Sequence, residues 1–504
     1  MAKRNSPSQQ PIPLDIMGSS TFGRDPKILA CRTFNMITAD DWLVDYAGYV
    51  KAVTIAPQGK GRGLFSSIRA NRLIAAIDNK VYSIGVYNTG GNRAYTVSVI
   101  GTINSFSGDV FMDENINSQI AICDQHNLYI YNYTTGAFTQ AVLPEGFIPG
   151  YVTYQDGYFI VPDTSSARWA LSAINNGLNW FWGASGEPVL GALQTKADYG
   201  KVALRVPGKG NLLFVMGNFV TELWTDISAP IFPYQRSYSI NMDYGCINAA
   251  TVATLDHIVA WLAYNEKSGP ALMYSTGGDI QQISTDGINY KLSQLVAPQT
   301  SSAFFMKLSG HLIYQLTFYD PRDNYTVLYD FTDKKFYDAT DERMNFHIAR
   351  RVAFFDNEYY FVSFRDGDVY QMSPDLYTFD YGKFQDDTPK VYQIPRIRVC
   401  SNVRTANQFR FIVNNITFTL EQGSDTTNDS NDPGYFPGID MSVSKNGGIS
   451  YSSYAPRKPI YPVGQRMNRL NWWGLGAAND FVPQFRFWGN GPWRATNGEV
   501  NIYQ

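Results

Sequence analysis

Short apolar and aromatic runs separated by tight turns recur along most of the chain. Between residues 352 and 372, three such runs are joined by an Asp-Asn turn at 356–357 and by an Arg-Asp-Gly turn at 365–367. Aromatic and β-branched residues favour the half-buried surface of a pleated strand. Asp, Asn and Gly accept the positive φ that hairpin turns require. The pattern therefore predicts a three-stranded meander, which cannot bury both of its faces alone.

The same run–turn–run pattern repeats at a long period. Turns are predicted at positions 78, 124, 156, 209, 256, 309 and 356. A repeat of roughly 40–50 residues built from short strands is typical of a β-propeller. The shorter spacing between 124 and 156 indicates one reduced or irregular blade. A large β-sandwich with repeated hairpins is the alternative, but sandwiches have no fixed long period.

Changes in composition divide the chain into three predicted parts. Residues 1–50 form an N-terminal arm, and its segment 42–50 is the candidate strand for closing the propeller ring. Residues 51–390 form the propeller, and a polar stretch at 385–389 marks its end. Residues 391–504 form a C-terminal β-rich domain, and the Gly-, Asp- and Asn-rich piece 422–438 is predicted to be a long surface loop. The predicted fold class is therefore all-β: an irregular β-propeller of about six to seven blades with an added C-terminal sandwich-like unit.

Composition narrows the function classes. The chain has 504 residues, 15% of them aromatic, and 41 Lys and Arg against 44 Asp and Glu. A protein that grips DNA usually carries a basic surplus, and this one has a formal charge of −3. No apolar run is long enough for a membrane-spanning segment, and no secretory signal is visible. The four widely spaced cysteines are predicted to be buried free thiols.

Motifs for chemistry are scarce. The sequence has no nucleophile elbow, no phosphate-binding loop and no ligand-spaced histidine pair, so we predict a non-enzyme without catalytic residues, cofactor or metal. Residues 444–451 resemble the Asp-box of sialidases, which is a structural turn. A propeller that binds or hydrolyses glycans is the alternative, and it would need acidic and Arg side chains around one mouth.

Two groups of residues are candidate contact sites. Lys60 and Arg62 lie in a Gly-rich turn and are candidate DNA-channel contacts, although a purely structural turn explains the glycines as well. Arg469, Trp472 and Trp473 form a candidate partner interface. Burial of the two tryptophans in the last sheet is the alternative.

Several further stretches occur in a characteristic order. They are residues 35–37, 46–49, 211–224, 244–246, 274–284, 442–451 and 466–487. In this order they resemble the packaged-DNA stabilisation, or tail-nozzle, proteins of short-tailed bacteriophages. The resemblance covers nearly the whole chain, and the segment 422–438 and the longer N-terminus depart from it.

The resemblance implies a structural protein of the phage tail. Such a protein is made in the host cytoplasm and becomes part of the virion neck, where six copies form a ring below the portal and its adaptor. The ring retains the packaged genome, binds a distal tail protein such as a needle, plug or fibre, and lets DNA pass without sequence specificity during ejection. A generic propeller that acts as an interaction hub is a further alternative.

Overall fold

The structure, a computed structural model, describes residues 9–23, 30–90, 92–206, 208–383, 387–405, 407, 409–421, 437–460 and 467–503. It is nearly all β, with 56% strand and 2% helix. The described strands form eight sheets. Seven of them contribute blades around one axis, and the predicted β-propeller is confirmed.

The first four blades each contain four antiparallel strands in chain order. Blade 1 comprises Gly61–Ser67, Arg72–Ile77, Lys80–Thr89 and Asn92–Thr102. Blade 2 comprises Phe111–Glu114, Gln119–Cys123, Leu128–Asn132 and Phe138–Gln140. Blade 3 comprises Thr153–Gln155, Tyr158–Pro162, Arg168–Leu171 and Val189–Ala192. Blade 4 comprises Val202–Arg205, Leu212–Met216, Thr221–Asp226 and Tyr234–Met242.

The last three blades are less regular. Blade 5 comprises Gly245–Cys246, Ala253–Leu255, Ile258–Asn265, Ser268–Ser275 and Gln281–Gln282, and it is flanked by a 3-10 turn at Ala249–Thr251 and a helix at Asp286–Ser293. Blade 6 comprises Ser301–Leu308, His311–Phe318, Tyr325–Asp330 and Lys335–Asp338. Blade 7 comprises Ala349–Phe355, Glu358–Ser363, Gly367–Ser373 and the early strand Gly48–Ala56, and Thr378–Lys383 and Pro389–Gln393 extend its sheet.

Apolar cores between neighbouring blades stabilise the ring. Between blades 3 and 4, for example, the Trp169 and Trp224 rings meet edge to face with centroids 5.2 Å apart, and both side chains are buried. The alternating apolar positions of each meander supply these cores, because successive strand residues point to opposite faces of a sheet. Each blade alone leaves its two faces exposed, and it buries them by packing against the neighbouring blades.

The ring is closed by a strand from the start of the chain. Gly48–Ala56 pairs antiparallel with Gly367–Ser373, so blade 7 combines strands from both ends of the repeat region. The Tyr49 ring stacks on Phe379 with centroids 4.4 Å apart, and its hydroxyl lies 2.6 Å from the Tyr381 hydroxyl. The predicted closing segment, 42–50, needs a correction. Trp42–Asp45 pairs in the C-terminal sandwich instead, and only the residues from Gly48 onward enter the blade.

The predicted turns lie where the backbone takes positive φ. These residues are Asp78 (49°), Gln125 (67°), Asp156 (50°), Gly208 (70°), Asp256 (52°), Ser309 (48°) and Asp356 (47°). The turns at 78 and 124 join second and third strands, whereas the turn at 156 joins first and second strands. The short spacing after 124 therefore reflects this change of position. It does not mark a reduced blade, because blades 2 and 3 both have four strands.

A two-sheet sandwich follows the propeller. Its first sheet contains Arg32–Phe34, Arg396–Val399, Val482–Trp488, Gly438–Ser444 and Lys458–Pro459, and it continues from the outer strand of blade 6 through parallel pairing of Phe34 with Asp338. Its second sheet contains Met36–Ala39, Trp42–Asp45, Arg494–Tyr503, Phe411–Glu421 and Met467–Ala478, with Gln9–Leu14 paired to Arg494–Tyr503. Phe418 and Phe485 meet across the core with ring centroids 4.9 Å apart. The sandwich thus uses strands from both ends of the chain.

Buried arginines hold the sandwich against the propeller. The fully buried Arg396 pairs with Asp45 and donates to the Gly489 carbonyl over 2.7 Å and to the Tyr377 carbonyl over 3.2 Å. Burial raises the pKa of Asp45, although the Arg396 charge acts in the opposite direction. Arg398 donates to the carbonyls of Asp15 and Ser19. The bond to Tyr377 reaches the propeller, and the other bonds tie the N-terminal residues Asp15, Ser19 and Asp45 to the strand Arg396–Val399.

The three-part division of the chain stays a prediction, and we propose to keep its boundary near residue 390. Pro389–Gln393 still belongs to the extended sheet of blade 7, whereas Arg396–Val399 belongs to the sandwich. The predicted surface loop 422–438 lies outside the described residues except at 437–438, and the polar boundary segment 385–389 is described only at 387–389. All four cysteines are free and buried, as predicted. Among the helices of the described ranges, none is long and apolar enough to cross a membrane.

Candidate functional sites

The Arg62 side chain is buried and bonded to backbone carbonyl groups. It is 1% exposed, and its guanidinium donates to the carbonyls of Asp78, Ser105, Ser107 and Gly108 over 2.5–2.9 Å. These carbonyls lie in the turn of blade 1 and in the link to blade 2. Burial and then the nearby Arg350 charge lower the pKa of Arg62, but an arginine stays charged at neutral pH. The prediction that Arg62 contacts DNA is therefore wrong, because its donors are turned inward and used.

A second buried arginine adds to these bonds between blades, which we call the interblade tie. Arg350, on the first strand of blade 7, pairs with Asp109 over 3.0 Å and donates to the Gly61 and Gly108 carbonyls. Blades 7, 1 and 2 are thus joined at the point where the ring closes. Lys60 is exposed beside this tie, and its backbone N–H donates to the Asp78 carboxylate over 2.9 Å. Lys60 stays a predicted contact residue.

Groups from four blades contact one another at the inner strands of the propeller. The Phe111 and Tyr151 rings lie 4.6 Å apart, and the Arg351 guanidinium lies 5.0 Å from the centroid of Phe111. Arg351 also donates to the Ala303 carbonyl over 3.3 Å. Burial raises the pKa of Tyr151 to about 12. These contacts join blades 2, 3, 6 and 7 through their inner strands.

A funnel of about 560 Å³ lies beside these contacts, among the inner strands of blades 1 to 5. Its lining includes Asp113, Tyr154, Asp156 and Arg205. The Asp113 carboxylate already accepts a bond from the Tyr154 N–H over 2.7 Å, and burial raises the pKa of Asp113. The acidic group therefore serves to join blade 2 to blade 3. Neither these contacts between blades nor the funnel could be read from the sequence, because each combines residues from several repeats.

One group of described residues could offer ligand atoms to a cation. His311, Asp330 and Asp333 of blade 6 bring such atoms within 4.8 Å of one another. The Asp330 carboxylate already lies 2.6 Å from His311 Nδ1 and accepts from the Thr332 N–H over 2.8 Å. We interpret this group as a hydrogen-bonded link between hairpins and propose no metal there.

The candidate partner interface divides into a core residue and two surface residues. All three lie on Met467–Ala478, an edge strand of the sandwich. Trp472 is 3% exposed and packs in the sandwich core, whereas Trp473 is 66% exposed. Arg469 is exposed on the same outward face as Trp473, because residues four apart in a strand share a face. Burial therefore accounts for Trp472, and the outward pair Arg469 and Trp473 stays a predicted partner contact.

The Asp-box-like segment is a turn. The Ser444 hydroxyl accepts from the Gly448 N–H over 2.9 Å, and the Asn446 side-chain oxygen Oδ1 accepts from the Ser450 N–H over 3.0 Å. Gly447 and Gly448 take φ of 72° and 91°. The side chains satisfy the backbone of the turn, which is the structural role predicted for them.

The fold defines a β-propeller protein with an added β-sandwich. The chain belongs to the phage stabilisation family, described as Bacteriophage P22 Gp10, beta-propeller, whose family model matches residues 76–336, just over half of the chain. It is therefore a structural protein of a bacteriophage that stabilises packaged DNA. The family resemblance inferred from the sequence is confirmed.

Other comparisons add only fold-level likeness. No curated protein sequence matches the chain. Virginiamycin B lyase from Staphylococcus aureus is similar at 10% identity and a TM-score of 0.41, over 63% of this chain and 97% of that chain. The computationally designed Ika8 protein is similar at 9% identity and a TM-score of 0.37, over 65% and 99%. The extracellular domain of the one component system BT4673 from B. thetaiotaomicron is similar at 10% identity and a TM-score of 0.40, over 77% of this chain and 46% of that chain. At this similarity these proteins carry no functional argument.

Proposed function

We propose that this protein forms a ring of six copies below the portal and adaptor of a phage tail, retains the packaged genome and conducts it during ejection. Family membership supports a DNA-stabilising virion protein. Head-to-tail contacts that close on themselves generate rings of this kind. We favour this role over a glycan-acting propeller, because the Asp113 carboxylate in the funnel is used to join two blades.

The small space inside a single propeller is the observation that carries this proposal. The cavity among the inner strands of blades 1 to 5 has a volume of about 560 Å³, and Phe111, Tyr151 and Arg351 make contacts between blades beside it. A conduit for duplex DNA would therefore have to run between copies, around a symmetry axis outside each propeller. Ring formation is thus part of the proposed function.

The charge balance supports a conduit that does not hold its cargo. Each phosphate that a protein neutralises adds salt-dependent affinity through counterion release. A basic lumen would slow ejection, and this chain carries a formal charge of −3. We propose that exposed cations such as Lys60 contact the genome singly and weakly.

The outward face of Met467–Ala478 is our proposed contact with a neighbouring tail protein. Trp and Arg are enriched among the residues that dominate binding energies at interfaces. Trp473 and Arg469 offer this pair on an edge strand, while Trp472 anchors the strand in the core. Edge strands also leave backbone groups free for pairing with another chain.

Replacing Trp473 by alanine is expected to leave the monomer folded and to weaken its incorporation into virions. The side chain is 66% exposed, so its loss costs little stability, whereas loss of an interface hot spot costs about 2 kcal/mol or more of binding. The measurement is the occupancy of the ring in micrographs of purified virions, where the unmodified protein should show six copies around the axis.

Ile231→Ala is the matched control for this variant. Ile231 is a large apolar residue that is 86% exposed on the propeller, away from the sandwich. Its substitution should leave ring occupancy unchanged. Normal occupancy with Trp473→Ala, or an equal loss with Ile231→Ala, would exclude the edge strand as a specific contact.

A further inference from the structure

A cationic and aromatic pocket lies between the extended sheet of blade 7 and the sandwich. Its volume is about 380 Å³, and its lining includes Tyr392, Arg457, Arg486 and Trp488. Arg486 and Trp488 alternate with the buried Phe485 and Phe487 on one strand, so they face out of the sandwich core. The alternation of the strand therefore places a cation and an indole in the seam between the two units.

The indole of Trp488 lies close to two guanidinium groups. Arg486 Cζ is 4.0 Å and Arg457 Cζ is 4.4 Å from the ring centroid. The Trp488 Nε1–H donates to Asp440, and Arg457 pairs with the same carboxylate over 3.3 Å. The indole is thus held in place by its own hydrogen bond. An ordered aromatic face restrains the arginine that packs on it.

Arg486 has no acidic partner among the described residues. Asp440 lies opposite Arg486 in the strand register, but its carboxylate is bound by Arg457 and Trp488. The acidic residue that lines the pocket, Glu342, is held by Arg365 over 3.0 Å and by the Tyr381 hydroxyl over 2.6 Å. The contacts of Arg486 are with the rings of Trp488 and Tyr454. Its fork of N–H donors is therefore available to a ligand.

We propose that this pocket binds a carboxylate from an acidic segment of a partner protein. An arginine that is already oriented can bind a carboxylate through two parallel bonds. The surrounding Trp and Tyr side chains are the residue types enriched at protein interfaces. The pocket is a concave seam, which suits one protruding side chain better than the convex surface of duplex DNA. The proposal rests on the contacts of Arg486 and does not depend on the proposed ring.

Binding of a short polyglutamate peptide to the full-length protein tests this site. The readout is tryptophan fluorescence, taken as the difference between the unmodified protein and Trp488→Phe, which isolates the signal of the pocket. We expect saturable binding. Arg486→Gln should raise the dissociation constant at least about tenfold, because a charge-assisted hydrogen-bonded pair contributes about that factor to affinity. The affinity of the Arg486→Lys variant should lie between those of the unmodified protein and Arg486→Gln, because lysine keeps the charge but lacks the planar fork of N–H donors.

Three controls make the result decisive. Arg322→Gln removes a 63%-exposed arginine on blade 6 and should leave polyglutamate binding unchanged. A polyglutamine peptide should not bind. If Arg486→Gln lowers the melting temperature, the test uses Arg486→Lys instead, and weaker polyglutamate binding by that variant supports the proposal. Absence of polyglutamate binding, unchanged binding by both Arg486 variants, or preferential binding of a short single-stranded oligonucleotide would each overturn the proposal.

Discussion

Replacing Arg62 by methionine should lower the free energy of unfolding by about 3–5 kcal/mol, because it leaves several buried carbonyl groups without a donor. The Arg62 guanidinium donates to four backbone carbonyls that join blade 1 to blade 2. Methionine keeps much of the side-chain volume and none of these bonds. Equilibrium urea denaturation, followed by circular dichroism, measures the change.

Lys60→Met is the matched control, two residues away in the same Gly-rich turn. The Lys60 side chain is exposed, and substitutions at exposed positions usually have small effects on stability. We therefore expect its unfolding curve to overlie that of the unmodified protein. If the two variants unfolded at the same urea concentration, Arg62 would not be the interblade tie described above.

Lowering the pH from 6.5 towards 3 should destabilise the protein through His347. This side chain is 1% exposed, and burial lowers its pKa from 6.5 to about 3. Its Nδ1 accepts from Gln315 Nε2 over 3.2 Å and from the Ala349 N–H over 3.3 Å, so a proton there would face two donors. The unfolded chain takes up the proton below pH 6.5 and the folded chain does not. Protonation of His347 therefore has no effect on the free energy of unfolding above pH 6.5. Below pH 6.5 that free energy falls by about 1.4 kcal/mol per pH unit, and by roughly 4–5 kcal/mol in total.

The slope of unfolding free energy against pH tests this effect. The His347→Gln variant should have a smaller slope between pH 6.5 and 4, whatever the stability of that variant at neutral pH. His257→Gln removes an exposed histidine and should leave the slope unchanged. An equally steep slope in His347→Gln would assign the acid sensitivity to other groups.

The propeller could be predicted because its signal is local and repeated. Each blade carries apolar runs and a turn residue, such as Asp156, Asp256 or Asp356, whose positive φ is visible as residue type. Blade number was less certain, because different hairpins of a blade give the same signal. The turn at 78 follows a second strand, and the turn at 156 follows a first strand.

Pairings between distant parts of the chain could not be predicted in the same way. Trp42–Asp45 and Gly48–Ala56 are separated by two residues, yet one enters the sandwich and the other closes blade 7. Both have the alternating pattern of a half-buried strand, and that pattern does not name the partner. The N-terminal region therefore looks like one arm in sequence and is divided in the structure.

The candidate contact residues show the same limit. Lys60 and Arg62 both look like free cations in a Gly-rich turn, but the strand register shifts between Gly61 and Gly63, and Arg62 at this bulge is buried. Trp472 and Trp473 look alike, and their alternation shows only that one faces in. Within the described part of the chain Arg486 has no acidic partner, because Asp440 opposite it is held by Arg457 and Trp488. Sequence supplies the side chains for such sites, and tertiary contacts decide which of them remain available.

The central claim is that this protein holds the packaged genome inside the phage head. Particles assembled without it, and then supplied with purified protein, test that claim most directly. The measurement is the DNA that stays resistant to nuclease over time. We predict that the deficient particles package DNA and then lose it, and that added protein restores retention. Particles that keep their genome and remain infectious without the protein would contradict the account.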